Sequence, residues 1–168
     1  MITKYRIEKF WDNEFKHLDY SWEPYKDADL VERWLALGYS EKLSGWLCDM
    51  RQPQPSWNDR FVNFYEELGW KDIGTAYYRM DCGTIMPTHQ DHYMKYISVF
   101  DLEGKEHTIH RAIIFLEDWA SGHYFEGQGA AVTGWQAGDV VEWCYDVPHM
   151  AANMGPTPRY TLQITGHK

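Results

Sequence analysis

The segment MPTHQDHY, residues 86–93, places three potential metal ligands, His89, Asp91 and His92, within four consecutive positions. On an extended segment alternate side chains point to opposite faces, so His89 and Asp91 share one face and His92 takes the other, toward solvent or substrate. His89 and Asp91 then form an arm offering one imidazole nitrogen and one carboxylate oxygen. The strongest candidate for a third ligand is His149 in YDVPHMAAN, which opens an expected strand just after GDVVEW and a proline-containing turn. Two imidazoles and one carboxylate on one face of a metal leave the opposite face open, which suits ferrous iron that must also bind a cosubstrate and oxygen. Zinc accepts the same ligands but usually keeps a single open position for water. Ten residues after His149 stands Arg159, in TPRYTLQITG. Its planar fork can clamp a carboxylate through two parallel hydrogen bonds, and Thr161 points the same way on a strand and can add a hydroxyl. Arg111, in HRAIIFLED, is either one half of an ion pair on a sheet face or a contact to the site. His17, His107, His110 and His123 have no spacing that recommends them as ligands.

Rigid elements have to hold these residues, and the character of the chain changes near Gly69. Before it, DADLVERWLALGY sets Leu30, Trp34 and Leu37 on one helical face and ends at Gly38. PSWNDRFVNFYEELGW repeats the pattern with Ser56 as candidate N-cap, Phe61, Phe64, Tyr65 and Leu68 on a face, and Gly69 as the stop. EKFWDNEFKHL is a weaker third helix. From Gly74 onward, short β-branched and aromatic runs alternate with turn residues: GTAYYRMD, TIMPTHQD, MKYISVFDL, HTIHRAIIFLE, HYFEG, AAVTGW, GDVVEWC, HMAAN and RYTLQITG. That grammar predicts an antiparallel double-sheet jelly roll, with MKYISVFDL serving either as a strand or, within residues 93–106, as a lid over the site. The expected fold is α+β and mainly β, a single domain over 1–168. Residues 1–70 are mostly helical, with their helices packed on one sheet, and 74–166 form the jelly-roll core. Trp135 and Trp143 are expected in the core or the pocket wall.

With 168 residues, 44% hydrophobic and 17% aromatic, the chain has ample apolar surface for one core. The formal charge of −9, with no basic run, argues against a nonspecific grip on nucleic acid. Cys48, Cys82 and Cys144 are scattered and odd in number, which fits reduced thiols and a cytoplasmic location. No stretch has the character of a secretion signal or a membrane span, so no membrane partner is expected.

Taken in order along the chain, these residues resemble the Fe(II)- and 2-oxoglutarate-dependent dioxygenase superfamily. Its signature is H-x-D, a distal His, and an Arg about ten residues later, and the match covers roughly Tyr77 to Gly166. Gly83, FLEDWASGHYF, GDVVEW and Asn153 agree with the layout of prolyl-hydroxylase relatives. The family's Arg-x-Ser is Arg159-Tyr160-Thr161 here. The tyrosine often found before the conserved glycine is replaced by Met80, which leaves Tyr78 or Tyr96 for any contact to the cosubstrate. No further arginines follow Arg159, unlike the nucleic-acid demethylase branch. Arg111 sits where aspartyl-hydroxylase relatives place a basic residue, although those enzymes commonly lack the carboxylate ligand that Asp91 supplies.

The resemblance implies that His89, Asp91 and His149 hold Fe(II) and that 2-oxoglutarate chelates the metal with its far carboxylate on Arg159. O2 would react last, giving succinate, carbon dioxide and a hydroxylated product. The implied substrate is an amino-acid side chain in a protein or peptide rather than nucleic acid. The alternatives are a small-metabolite oxygenase, or a cupin-like non-oxidative metalloenzyme using zinc or manganese. A binding module without turnover is favoured by no feature of the sequence.

Overall fold

A computed structural model describes residues 1–168. In chain order the elements are β1 (Ile2–Arg6), a 3-10 turn at Glu14–His17, β2 (Ser21–Glu23), α1 (Ala28–Ala36), β3 (Gly45–Asp49), α2 (Asn58–Glu67), β4 (Lys71–Met80), β5 (Thr84–His89) and α3 (Met94–Phe100). After a second 3-10 turn at Glu106–Thr108 come β6 (Ile109–Phe115), β7 (His123–Gly127), β8 (Ala130–Val132), β9 (Asp139–Cys144), β10 (His149–Asn153) and β11 (Arg159–His167). Seven strands form one antiparallel sheet in the order β1-β9-β6-β11-β4-β3-β2, and four form a second in the order β5-β10-β7-β8. Strands β4 to β11 cross between the two sheets and contribute four strands to each, so the core is a double-stranded β-helix, or jelly roll.

The two-residue period of the strands sorts the larger sheet into two faces. Tyr77, Ala112, Ile114, Val140, Leu162 and Ile164 point outward and join Trp57, Phe61 and Tyr65 of the α2 region in the main apolar core. Each of these larger side chains contributes roughly 1.5–3 kcal/mol by leaving water. Ile113, Phe115, Val141 and Trp143 point the other way, toward the smaller sheet, where they meet Phe125, Trp135 and Val147. Tyr78, Met80, Arg111, Arg159, Thr161 and Gln163 share that inner parity. The outer core thus holds the sheet rigid while its inner face is free to carry polar chemistry.

The helices arise as their periodicity implies, with local differences. Asp27 caps α1 by accepting a hydrogen bond from the Leu30 amide at 3.0 Å, and Gly38, at φ +93°, supplies the left-handed turn that ends it. Of the predicted α1 face only Trp34 is deeply buried, and Leu37 is 77% exposed. Trp34 packs beside His89, so α1 lies at the His89 end of β5, whereas α2 covers the outer sheet face. Asp27→Ala is expected to cost about 1 kcal/mol and to lower Tm by about 2–4 °C in thermal unfolding.

Ser56 does not cap α2. Its hydroxyl donates to Glu14 at 2.6 Å and its amide donates to the same carboxylate, which ties the segment before α2 to the first 3-10 turn. EKFWDNEFKHL forms only that turn. MKYISVFDL is not a strand: it becomes α3, bracketed by two left-handed residues, Tyr93 at φ +50° and Asp101 at φ +53°, with Ile97 packed on Leu102 and Ile109. The helical reading of residues 1–70 also missed β1, β2 and β3, three short strands that extend the larger sheet at both ends. No helix is long and apolar enough to cross a membrane.

Candidate metal centre and carboxylate receptor

Strands β5 and β10 bring the two histidines together. His89 closes β5, His149 opens β10, and the two are direct cross-strand partners beside a register shift. Their rings lie 4.3 Å apart, centroid to centroid. Each ring is fixed in the same way. His89 Nδ1 pairs with the Pro87 carbonyl at 2.8 Å and His149 Nδ1 with the Val147 carbonyl at 2.9 Å. A carbonyl can only accept, so each Nδ1 carries the proton and each Nε2 presents a lone pair.

Asp91, just past the end of β5, faces both lone pairs. Its Oδ1 is 3.7 Å from His89 Nε2 and its Oδ2 is 3.9 Å from His149 Nε2. One donor atom from each of the three residues lies within 4.8 Å of the others, so the group could hold a metal ion. His92 is exposed and stands apart from it.

The electrostatics agree with that role. Burial pushes the His89 pKa down to about 4, with His149 adding to the effect and Asp91 opposing it. Burial also lowers His149. For Asp91, burial works upward, but the charges of Arg111, His149 and His89 outweigh it and hold the carboxyl at about 2. Neutral imidazoles and an ionised carboxylate are the states in which these groups bind a divalent ion.

Two aromatic walls close around the imidazoles. Trp143 lies 4.7 Å from the His149 ring and Phe125 lies 6.3 Å from it. On the other side Tyr25 meets His89 edge-on at 5.4 Å and Trp34 does so at 6.4 Å. The contribution of Tyr25 and Trp34 was not legible in the sequence, where Trp34 read as an ordinary core position of an amphipathic helix.

Arg159 opens β11 on the inner face and is 3% exposed. Its Nη1 touches the Met80 sulfur at 3.1 Å, and its Nε and Nη2 have no partner at all. The guanidinium lies 5.6 Å from the Phe115 ring and 5.5 Å from the Trp135 ring, and those two rings are stacked 4.0 Å apart. Burial pushes its pKa down to about 10 although Tyr78 pulls the other way, so the group is still a cation at neutral pH. A buried cation with two orphaned donor atoms could accept an anion, and a planar carboxylate matches its geometry.

Thr161, 2% exposed, follows on the same face with Tyr78 directly opposite on β4. The Tyr78 hydroxyl lies 3.1 Å from Ser44 Oγ. Burial raises the Tyr78 pKa, with the Arg159 charge opposing the shift and the Asp91 charge adding to it. Gly45 makes room for it, since a Cβ there would sit 2.8 Å from the phenol oxygen. Tyr96, the other candidate, is turned away and donates to the Asp72 carbonyl at 2.9 Å. Trp135 and Trp143 are both buried against the pocket, and Asn153 is structural, donating to the Met80 carbonyl at 2.8 Å.

Arg111 is not merely a sheet-face residue. Its Nη2 lies 3.2 Å from Asp91 Oδ2, while Nε reaches the Tyr93 hydroxyl at 3.4 Å and Nη1 reaches Gln163 Oε1 at 3.3 Å.

Comparison with known proteins places this fold among solved structures. No protein-family description and no curated protein matches the chain. A prolyl-4-hydroxylase from Pseudomonas putida superposes with a TM-score of 0.57 at 16% identity, covering 84% of each chain. The cupin domain of Cnp3 from Schizosaccharomyces pombe gives a TM-score of 0.44 at 8% identity, over 73% of this chain and 61% of that one. A cupin protein from Bacteroides fragilis gives 0.41 at 13% identity, over 61% and 72%. At these identities the likeness concerns architecture alone: the chain has a double-stranded β-helix fold, with a His-Asp-His group able to hold a metal.

Proposed function

We propose that this protein is an Fe(II)- and 2-oxoglutarate-dependent dioxygenase of the cytoplasm that hydroxylates a C–H bond, preferentially on an amino-acid side chain in a protein or peptide. The observation that carries this reading is Arg159, a buried cation with two unpaired donors on the inner face of the larger sheet, the face from which Arg111 reaches Asp91 across the inter-sheet space. His89, Asp91 and His149 hold the metal. Arg159 binds the far carboxylate of the keto acid, with Thr161 and Tyr78 beside it offering hydroxyls. When bound, the metal and keto acid supply the oxidation, in which 2-oxoglutarate and O2 become succinate and carbon dioxide and one oxygen atom enters the substrate C–H bond. Phe115, Phe125, Trp135 and Trp143 exclude water from that space and keep the ion pairs strong. The preference for peptide over nucleic acid is supported by the net charge of −9 and the prolyl-hydroxylase-like layout.

Anaerobic addition of Fe(II) and then 2-oxoglutarate is expected to give the weak visible charge-transfer band of an iron–keto acid chelate. Aerobic incubation should release succinate, and cell lysate exposed to the protein should contain a species heavier by one oxygen atom. Tight metal uptake with no response to 2-oxoglutarate would instead favour a non-oxidative cupin-like metalloenzyme on the same scaffold.

A further inference from the structure

Three side chains that hold a metal do not by themselves decide how many positions they fill. A carboxylate can offer one oxygen or two, and here both Asp91 oxygens face an imidazole at similar range, 3.7 Å for Oδ1 and 3.9 Å for Oδ2. On a six-coordinate ion, two imidazoles and a two-oxygen carboxylate leave two open positions, whereas a one-oxygen carboxylate leaves three. A keto acid chelate occupies two and O2 needs one more, so the proposed chemistry requires the second case. Something outside the ligand set must choose.

We infer that Arg111 is a positioning residue that engages Oδ2 of Asp91 and so restricts the carboxylate to one metal bond through Oδ1, keeping a third coordination position open. The inference rests on the dioxygenase reading. Arg111 lies on β6, on the inner face of the larger sheet and opposite Trp143 of β9. Its guanidinium is held at each of its nitrogens: Nη2 to Asp91 Oδ2 at 3.2 Å, Nε to Tyr93 at 3.4 Å and Nη1 to Gln163 at 3.3 Å. Tyr93 is itself fixed, as its left-handed backbone starts α3 and its ring lies under the guanidinium at 5.1 Å. An arginine tethered from β11 and from the α3 start stays in place, so turning Oδ2 toward the metal would break the ion pair, and Oδ2 is held at Arg111. The shortest approach of the guanidinium to the carboxylate is to Oδ2.

The test uses the full chain loaded with Co(II), whose visible bands report coordination, together with anaerobic 2-oxoglutarate titration of the Fe(II) form. Arg111→Gln is expected to change the Co(II) spectrum and to weaken metal binding by about 10- to 100-fold. It should also weaken 2-oxoglutarate chelation although Arg159 is intact. Arg111→Lys, which retains a cation for Oδ2, should recover most of both signals, an outcome that a purely structural role does not predict. Tyr93→Phe, which removes a hydroxyl that contacts both Arg111 and Asp91 without emptying the core, should shift both readouts in the same direction by a smaller factor. A wild-type spectrum and wild-type affinities in Arg111→Gln, or in Tyr93→Phe where the former does not fold, would overturn the inference while leaving the dioxygenase reading in place. Wild-type protein that takes up Co(II) but never responds to 2-oxoglutarate would overturn that reading, and the inference with it.

Discussion

Arg159→Met should yield a ligand-free protein that is more stable than the wild type and does not respond to 2-oxoglutarate. The wild-type guanidinium is buried with Nε and Nη2 unpaired and no acidic partner, so the folded state carries a desolvated charge that the Met80 sulfur and two aromatic rings offset only in part. Methionine fills a similar volume beside Met80, Phe115 and Trp135 and removes that cost. Replacing buried charge with packed apolar side chains typically gains about 1–4 kcal/mol, and each kcal/mol raises Tm by about 2–4 °C in a chain of this size. The same change removes the only cation at the receptor. Truncating one partner of a buried charge pair costs about 2–5 kcal/mol, roughly 30- to 4,000-fold in Kd. Calorimetric titration and thermal unfolding check both halves. A variant that is less stable, or that binds 2-oxoglutarate unchanged, contradicts the receptor assignment.

Asp91→Ala should have the opposite effect on stability. It removes a metal ligand, so Fe(II) and Co(II) binding should fall by at least about 100-fold, beyond the range seen when only the surroundings of a ligand change. It also strips the buried Arg111 of its counter-charge, and leaving one half of a buried pair uncompensated costs about 3–5 kcal/mol. Metal-free Asp91→Ala should therefore unfold well below the wild type. The double variant Asp91→Ala/Arg111→Met should recover part of that loss, a coupling that urea unfolding of the four proteins measures directly. If Asp91→Ala is as stable as the wild type, Arg111 does not depend on the carboxylate.

The legible parts of this protein were those where a short-range rule acts alone. Strands β4, β5, β6, β7, β9, β10 and β11 announce themselves by alternation between turn residues, and the same parity placed Arg159 and Thr161 on one face. His89, Asp91 and His149 could be paired because strand-end positions and ligand chemistry narrowed the choice. Strands β1, β2 and β3 escaped because they are three to five residues long, carry charged or exposed positions, and owe their form to distant partners such as Trp143, Trp46 and Tyr78. MKYISVFDL failed for a different reason. Its β-branched and aromatic residues favour a strand, yet left-handed backbone at Tyr93 and Asp101 turns the chain into a helix anchored mainly by Ile97. The role of Arg111 was beyond any local rule, since parity gives the face of a strand but not the side chain that meets it across the barrel.

The position of β11 has a consequence for biosynthesis. This strand lies between β4 and β6, near the middle of the larger sheet, yet its residues are polymerised after those of every other strand in the sheet. Translation from Met80 to Arg159 takes roughly 4–16 s at 5–20 residues per second. During that interval β4 and β6 each leave an edge without its neighbour. The nascent chain passes through a window of vulnerability to misassociation on the ribosome, which closes only when the strand bearing Arg159 inserts.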